Sequence, residues 1–126
     1  MADYLLDSDV IIWCLRGQKE SVDFVRSIAE ESLPACSSLS VLEVELGMKS
    51  GEEEATRSFL DSLRVVGVSK STARKAADYI RTYQRKGRAI DFVDAAIAAT
   101  CVEEGLILVT YNLKHYPMSD FVKRAP

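Results

Sequence analysis

Apolar positions along this chain fall into two patterns that take turns. Compact apolar runs occur at Tyr4–Leu6, Leu33–Cys36, Arg64–Val68 and Leu106–Thr110. Each has the length of a strand and is too short for a helix. Between them the apolar residues recur at helical spacing. Val10 to Leu15 is a short helical stretch that ends near Gly17, and Ser21 to Glu30 places Val22, Val25, Ile28 and Ala29 on one face. Ser40 to Met48 and Glu53 to Leu63 read as a helix pair broken at Ser50-Gly51. Thr72 to Lys86 carries Ala73, Ala76, Ala77 and Ile80 on its inner side. Phe92 to Glu103 is apolar around most of its circumference and rich in alanine, which predicts close packing against a sheet. Strands alternating with helices predict an α/β fold, a three-layer α/β/α arrangement around a mostly parallel central sheet. The pattern leaves the order of the strands open.

At 126 residues the chain reads as one domain, 1–126, able to bury roughly two-thirds of its unfolded surface. No apolar run approaches the ~20 residues of a membrane span. Met1-Ala2-Asp3 lacks the basic start and long apolar stretch of a signal peptide, so a cytoplasmic protein is expected. Cys14, Cys36 and Cys101 are odd in number and widely spaced, with no CxxC pair, and read as free thiols among apolar neighbours. His115 is the only histidine, which excludes a multi-histidine metal site. A net charge of −3 argues against a nucleic-acid partner until its distribution is considered. Arg74, Arg81, Arg85 and Arg88 follow at intervals of seven, four and three, predicting one basic helix stripe flanked by Lys75 and Lys86. That stripe is either a solvated face or a track for phosphates.

The chemistry concentrates at strand ends. Asp7 follows the first strand, Glu43 lies in the first turn of the Ser40 helix, Asp94 lies in the first turn of the Phe92 helix, and Asn112 follows the last strand. Right-handed crossovers bring strand ends and the helix starts after them to one edge of a parallel sheet. Four oxygen donors can therefore meet there, a set that suits Mg²⁺ or Mn²⁺. Clustered carboxylates repel one another, and a cation removes that repulsion. Each residue also has a structural reading. Ser40-x-x-Glu43 has the spacing of a capping box, Asp91 and Asp94 suit a helix start, and Thr110-Tyr111-Asn112 suits a turn. Asp7 is the exception, since an unpartnered acid after a buried strand is costly. Asp9 is expected to cap the first helix, with Ser8 facing the pocket.

Four motifs in order resemble the PIN-domain ribonucleases, specifically VapC-type toxins of toxin–antitoxin pairs. They are Leu5-Leu6-Asp7-Ser8-Asp9-Val10, Leu39-Ser40-Val41-Leu42-Glu43-Val44-Glu45-Leu46-Gly47, the Gly87–Thr100 segment with Asp94 before an alanine-rich helix, and Gly105-Leu106-Ile107-Leu108-Val109-Thr110-Tyr111-Asn112. The resemblance covers nearly the whole chain and selects Glu43 over Glu45. It implies a Mg²⁺- or Mn²⁺-dependent endoribonuclease with Asp7, Glu43 and Asp94 as catalytic residues that hold the ion, and Asn112 as a fourth ligand. Ser8 and Thr110 would orient those ligands, and Arg88, Arg85 and Arg81 would meet RNA phosphates. It further implies a homodimer, and a small antitoxin protein that occupies the catalytic groove. The chain departs from the family in one place: where a further Asp often stands three residues after the Asn, it has His115. That substitution points to one ion, with a second recruited only with substrate. Two alternatives stay open: a PIN-like RNA-binding module of little activity, and a haloacid-dehalogenase-type phosphatase using Asp7-Ser8-Asp9. A DNase or 5′-nuclease activity would use the same site.

Overall fold

The computed structural model describes residues 2–126. Five strands, β1 (Tyr4–Leu6), β2 (Ala35–Ser37), β3 (Arg64–Val66), β4 (Ile107–Val109) and β5 (Lys123–Arg124), form one sheet in the order β3-β2-β1-β4-β5, and every neighbouring pair is parallel. The helices are α1 (Ser8–Leu15), α2 (Lys19–Ala29), α3 (Ser38–Leu46), α4 (Glu53–Asp61), α5 (Lys70–Arg85) and α6 (Phe92–Glu104).

Register explains the layers. Leu5 pairs with Ala35 and Leu108, while Leu6 pairs with Cys36 and Val109. Successive strand residues point to opposite faces, so these two rows feed two separate cores. Leu5, Ala35 and Leu108 pack with the apolar residues of α5 and α6, and Leu6, Cys36 and Val109 pack with those of α1 to α4. The result is a three-layer α/β/α fold around an all-parallel sheet. Ala95, Ala96, Ala98 and Ala99 are all buried, and their small side chains let α6 lie close to the sheet. α6 ends at Gly105, whose φ of +65° is the left-handed cap that glycine adopts without strain.

Several boundaries differ from the sequence expectation. The strand β5 was not foreseen, because Lys123 and Arg124 carry no apolar pattern; the pairing comes from backbone bonds such as Leu108 N–H to the Val122 carbonyl at 2.9 Å. Ala29 and Ala73 lie exposed, and the buried positions nearby belong to Ser21 and Thr72. Both polar residues are buried with partners: Ser21 Oγ lies 2.6 Å from the Tyr111 hydroxyl, and Thr72 Oγ1 donates to Glu103 Oε1 at 3.1 Å. The basic stripe is also shorter than expected. α5 ends at Arg85, Gly87 takes a φ of +77°, and Arg88 lies beyond the helix in the turn before α6. The cysteines are free, and burial pushes Cys36 up to about 11 and Cys101 to about 12, which makes them inert thiols. No described helix is long and apolar enough to cross a membrane.

Candidate functional site

β1 and β4 lie side by side at the centre of the sheet, and the chain winds outward from them in opposite directions. Their carboxyl ends therefore border the crevice at which such sheets bind ligands. Asp7 follows β1 directly and Thr110 follows β4 directly. Asp94 reaches the same edge from the first turn of α6, which starts there because the side chain of Asp91 accepts the Val93 N–H at 3.0 Å.

Asp7 is the N-cap of α1, the role the sequence had suggested for Asp9. Its extended backbone (φ −71°, ψ 160°) turns Oδ1 back to the Ser8 N–H at 2.8 Å. Its Oδ2 accepts from Thr110 Oγ1 at 2.9 Å and from the Tyr116 hydroxyl at 2.8 Å. The acid expected to lack partners thus has three, but all three donors are neutral and its charge is not offset. Asp9 sits inside the first turn of α1 and is used up structurally. Its Oδ1 takes the Val10 N–H at 2.7 Å, and its Oδ2 takes the Tyr111 N–H at 2.9 Å and Asn112 Nδ2 at 3.1 Å. A phosphatase of the Asp-x-Asp type needs its second Asp free for acid–base work, so this geometry removes that alternative. Burial and then Asp7 raise the Asp9 carboxyl above its ordinary value.

Asp94 faces Asp7 across one hydroxyl. Tyr116 OH is 2.8 Å from Asp7 Oδ2 and 3.2 Å from Asp94 Oδ1, and His115 Nδ1 lies 3.6 Å from Asp94 Oδ2. Burial and the nearby Asp7 charge push the Asp94 carboxyl up to about 6. Burial, Asp7 and Asp94 also raise the Tyr116 phenol, which keeps it protonated as a donor. Sequence reading missed Tyr116, since an aromatic before a proline reads as core, and it is indeed buried. Only its hydroxyl, absent from phenylalanine, was a signal.

Glu43 reaches the site by another route. α3 begins at Ser38 with Ser37 as its cap, whose Oγ accepts the Leu39 N–H at 3.1 Å. Glu43 therefore lies in the second turn, and the capping-box explanation no longer applies. Ser8 Oγ donates to Glu43 Oε1 at 2.6 Å and lies 3.0 Å from the buried Ser40 Oγ, which can donate to it in turn. Among the described residues no three acidic, histidine or cysteine side chains form a ready-made cage. The expected crowding of three carboxylates is instead an Asp7–Asp94 pair, joined to Glu43 through Ser8.

The donor set fits a hard divalent cation. All the candidate ligands present oxygen, and no Lys or Arg among the described residues forms an ion pair with Asp7 or Asp94; His115, 3.6 Å from Asp94, offsets their charge only when protonated. Asn112 commits its amide nitrogen to Asp9, which leaves its carbonyl oxygen as the only group it can offer a cation. An open set of this kind suits Mg²⁺, which keeps several of its waters.

Of the three arginines singled out, only Arg88 is tied to this edge. Its guanidinium donates to the Lys114 carbonyl, next to His115. Arg81 and Arg85 lie exposed on α5, and Arg81 pairs with Asp78 at 2.6 Å.

Comparison with known proteins agrees with this arrangement. A family model described as PIN domain matches residues 4–119. Ribonuclease VapC10 of Mycobacterium tuberculosis is 36% identical over 119 residues, covering 94% of this chain and 90% of that protein. The crystal structure of DNA-bound VapBC from Salmonella typhimurium superposes with a TM-score of 0.83 at 23% identity, covering 99% of this chain and 98% of that one. VapBC2 from Rickettsia felis, bound to a DNA fragment from its promoter, gives a TM-score of 0.81 at 23% identity, with 97% of each chain covered. At that identity the two structures bear on the fold, while the family model and VapC10 bear on descent. On those two matches, each spanning nearly its full length, the chain belongs to the PIN domain family.

Proposed function

We propose that this protein is the toxin ribonuclease of a toxin–antitoxin pair, a cytoplasmic endonuclease that hydrolyses RNA phosphodiester bonds. Asp7, Asp94 and Glu43 would hold Mg²⁺ or Mn²⁺, with Asn112 as a neutral fourth donor. The observation that carries this reading is the Asp7–Asp94 pair facing across one buried hydroxyl at the switch point of a parallel sheet. The ribonuclease name of VapC10 supports the substrate class, and the VapBC complexes support a protein antitoxin as partner.

A bound ion would supply Lewis acidity, lowering the pKa of a water and offsetting charge on the phosphodiester. The protein's own residues do the rest. Thr110 and Tyr116 together occupy Asp7 Oδ2, so Asp7 has only Oδ1 left to present. Ser8 ties Glu43 to the start of α1, so the α3 carboxylate follows the end of β1. Asp9 binds the backbone and side chain of the 110–112 turn and keeps Asn112 in place. Arg88, and beyond it Arg85 and Arg81, would meet RNA phosphates along the exposed side of the site. With His115 in the position of a further acid, one resident ion is proposed. A cavity of about 360 Å³ between α1, α3 and α4, lined by Ile12, Leu15 and Val44 together with the charged Arg16, Lys49 and Glu52, would seat the antitoxin beside Glu43.

The test is cleavage of a long RNA by purified protein with Mg²⁺ or Mn²⁺, with EDTA and Asp7→Asn as controls and single-stranded DNA as a parallel substrate. Cleavage of RNA that EDTA and Asp7→Asn abolish is the expected result. Activity that persists in EDTA, or a fully active Asp7→Asn protein, overturns the site. Preference for DNA overturns the substrate. The homodimer is tested by light scattering, where a mass near twice 14.0 kDa is expected.

A further inference from the structure

We propose that Tyr116 is a positioning residue of the metal site, whose hydroxyl decides which oxygens of Asp7 and Asp94 face a cation. The inference rests on the reading of those two carboxylates as ligands and goes beyond it, since it gives Tyr116 a role exerted only through Asp7 and Asp94.

The argument starts from rigidity. The Tyr116 side chain is 1% exposed and its ring meets Phe121 edge-on, with centroids 6.4 Å apart and planes at 88°. A phenol has only two side-chain torsions, so a packed ring fixes its oxygen in space. That oxygen lies about 3 Å from a carboxylate oxygen on each side, Asp7 from β1 and Asp94 from α6. One proton serves two acceptors, and the shorter distance directs it mainly to Asp7.

Counting lone pairs shows the consequence. A carboxylate has about four acceptor sites, two on each oxygen. Thr110 and Tyr116 fill both sites on Asp7 Oδ2, and the Ser8 N–H takes one on Oδ1. Asp7 therefore has one free site, on Oδ1. Asp94 keeps one on Oδ1 beside the phenol, and its Oδ2 is turned toward His115. Replacing Tyr116 by Phe keeps the ring and the packing. It also frees a second site on Asp7, leaves Asp94 without its hydroxyl partner, and sets the two carboxylates directly against each other. The loss falls on the geometry offered to the ion, not on the core.

Groups that orient metal ligands typically change affinity about 10- to 100-fold when removed. For Tyr116→Phe the expected result is a Mn²⁺ dissociation constant at least ~10-fold above wild type by calorimetry, with cooperative unfolding retained. RNA cleavage should fall in kcat with KM for RNA unchanged, and excess Mn²⁺ should restore much of it. A merely structural residue would not show that rescue. Wild type and Asp94→Asn are titrated alongside. If wild type binds no Mn²⁺, or Asp94→Asn binds it as wild type does, the ligand reading falls and takes this inference with it. If those two behave as expected while Tyr116→Phe stays within threefold of wild type, the inference alone is overturned. Loss of cooperative unfolding in Tyr116→Phe assigns the hydroxyl to folding and overturns it too.

Discussion

Replacing Asp94 by asparagine removes a charge while nearly preserving shape, and it should stabilise the metal-free protein. Burial and Asp7 lift the Asp94 carboxyl from its ordinary 3.8 to about 6. The folded protein therefore holds this proton more tightly than the unfolded chain. Protonation favours folding at low pH, and the advantage is lost as pH rises from about 4 to about 6. Above that range the ionised carboxylate carries the full penalty. Two pKa units correspond to about 3 kcal/mol. Since 21% of the side chain remains exposed, ~2 kcal/mol is the better figure. With about 2.1 cal/mol/K of unfolding entropy per residue over 126 residues, that equals about 8 °C in Tm. The amide oxygen can still accept the Tyr116 hydroxyl, so no buried donor is stranded. In EDTA near pH 7.5, Asp94→Asn should melt about 8 °C above wild type, and the gap should close toward about pH 4. Asp9, also raised, keeps some pH dependence in both proteins. Saturating Mn²⁺ should invert the ranking, because only wild type gains binding energy. Circular-dichroism melts across this pH range, with and without metal, decide the matter. A variant that melts at or below wild type in EDTA near pH 7.5 refutes the reasoning.

Three other outcomes follow from the same geometry. Asp7→Ala removes a helix cap and the shared acceptor of two buried hydroxyls, so urea unfolding should show a loss of about 3 kcal/mol; a loss below about 1 kcal/mol would contradict the hydrogen-bond assignment. Glu43→Gln sits on an exposed residue whose Ser8 bond an amide oxygen can retain, so stability should move by no more than about 0.5 kcal/mol while RNA cleavage drops at least tenfold. Full activity would remove Glu43 from the site. Arg88→Ala should raise KM for RNA several-fold and flatten its salt dependence, whereas Arg81→Ala should do less because Asp78 already pairs with that guanidinium. Equal effects on steady-state KM would break the distinction drawn between them.

Much of the fold was legible because it depends on local pattern. The run Tyr4–Leu6 is a strand from end to end as read, and the alternation of strands with helices gave the three layers. Asp94 was placed in the first turn of its helix because Asp91 is a local cap. The cap of α1 lies two residues before the expected Asp9, since Asp7, Ser8 and Asp9 are all competent caps and the turn after β1 selects Asp7. The spacing Ser40-x-x-Glu43 predicts a capping box that α3 does not use, because the helix starts one turn earlier with Ser37 as its cap.

What the sequence determined alone is the periodicity of each segment and the kinds of oxygen donor available, since both follow from neighbours a few positions apart. Tertiary structure decided which donors meet. The Ser8–Glu43 bond joins residues 35 positions apart, and the Tyr116 hydroxyl reaches Asp7 across 109. The strand order β3-β2-β1-β4-β5 and the polar edge strand β5 arise from pairing between distant backbones, on which local pattern is silent. Asp7 and Asp94 become one site only because β1 and β4 lie side by side and α6 packs over them, so that burial and shared hydrogen bonds couple two charges that the chain keeps 87 residues apart.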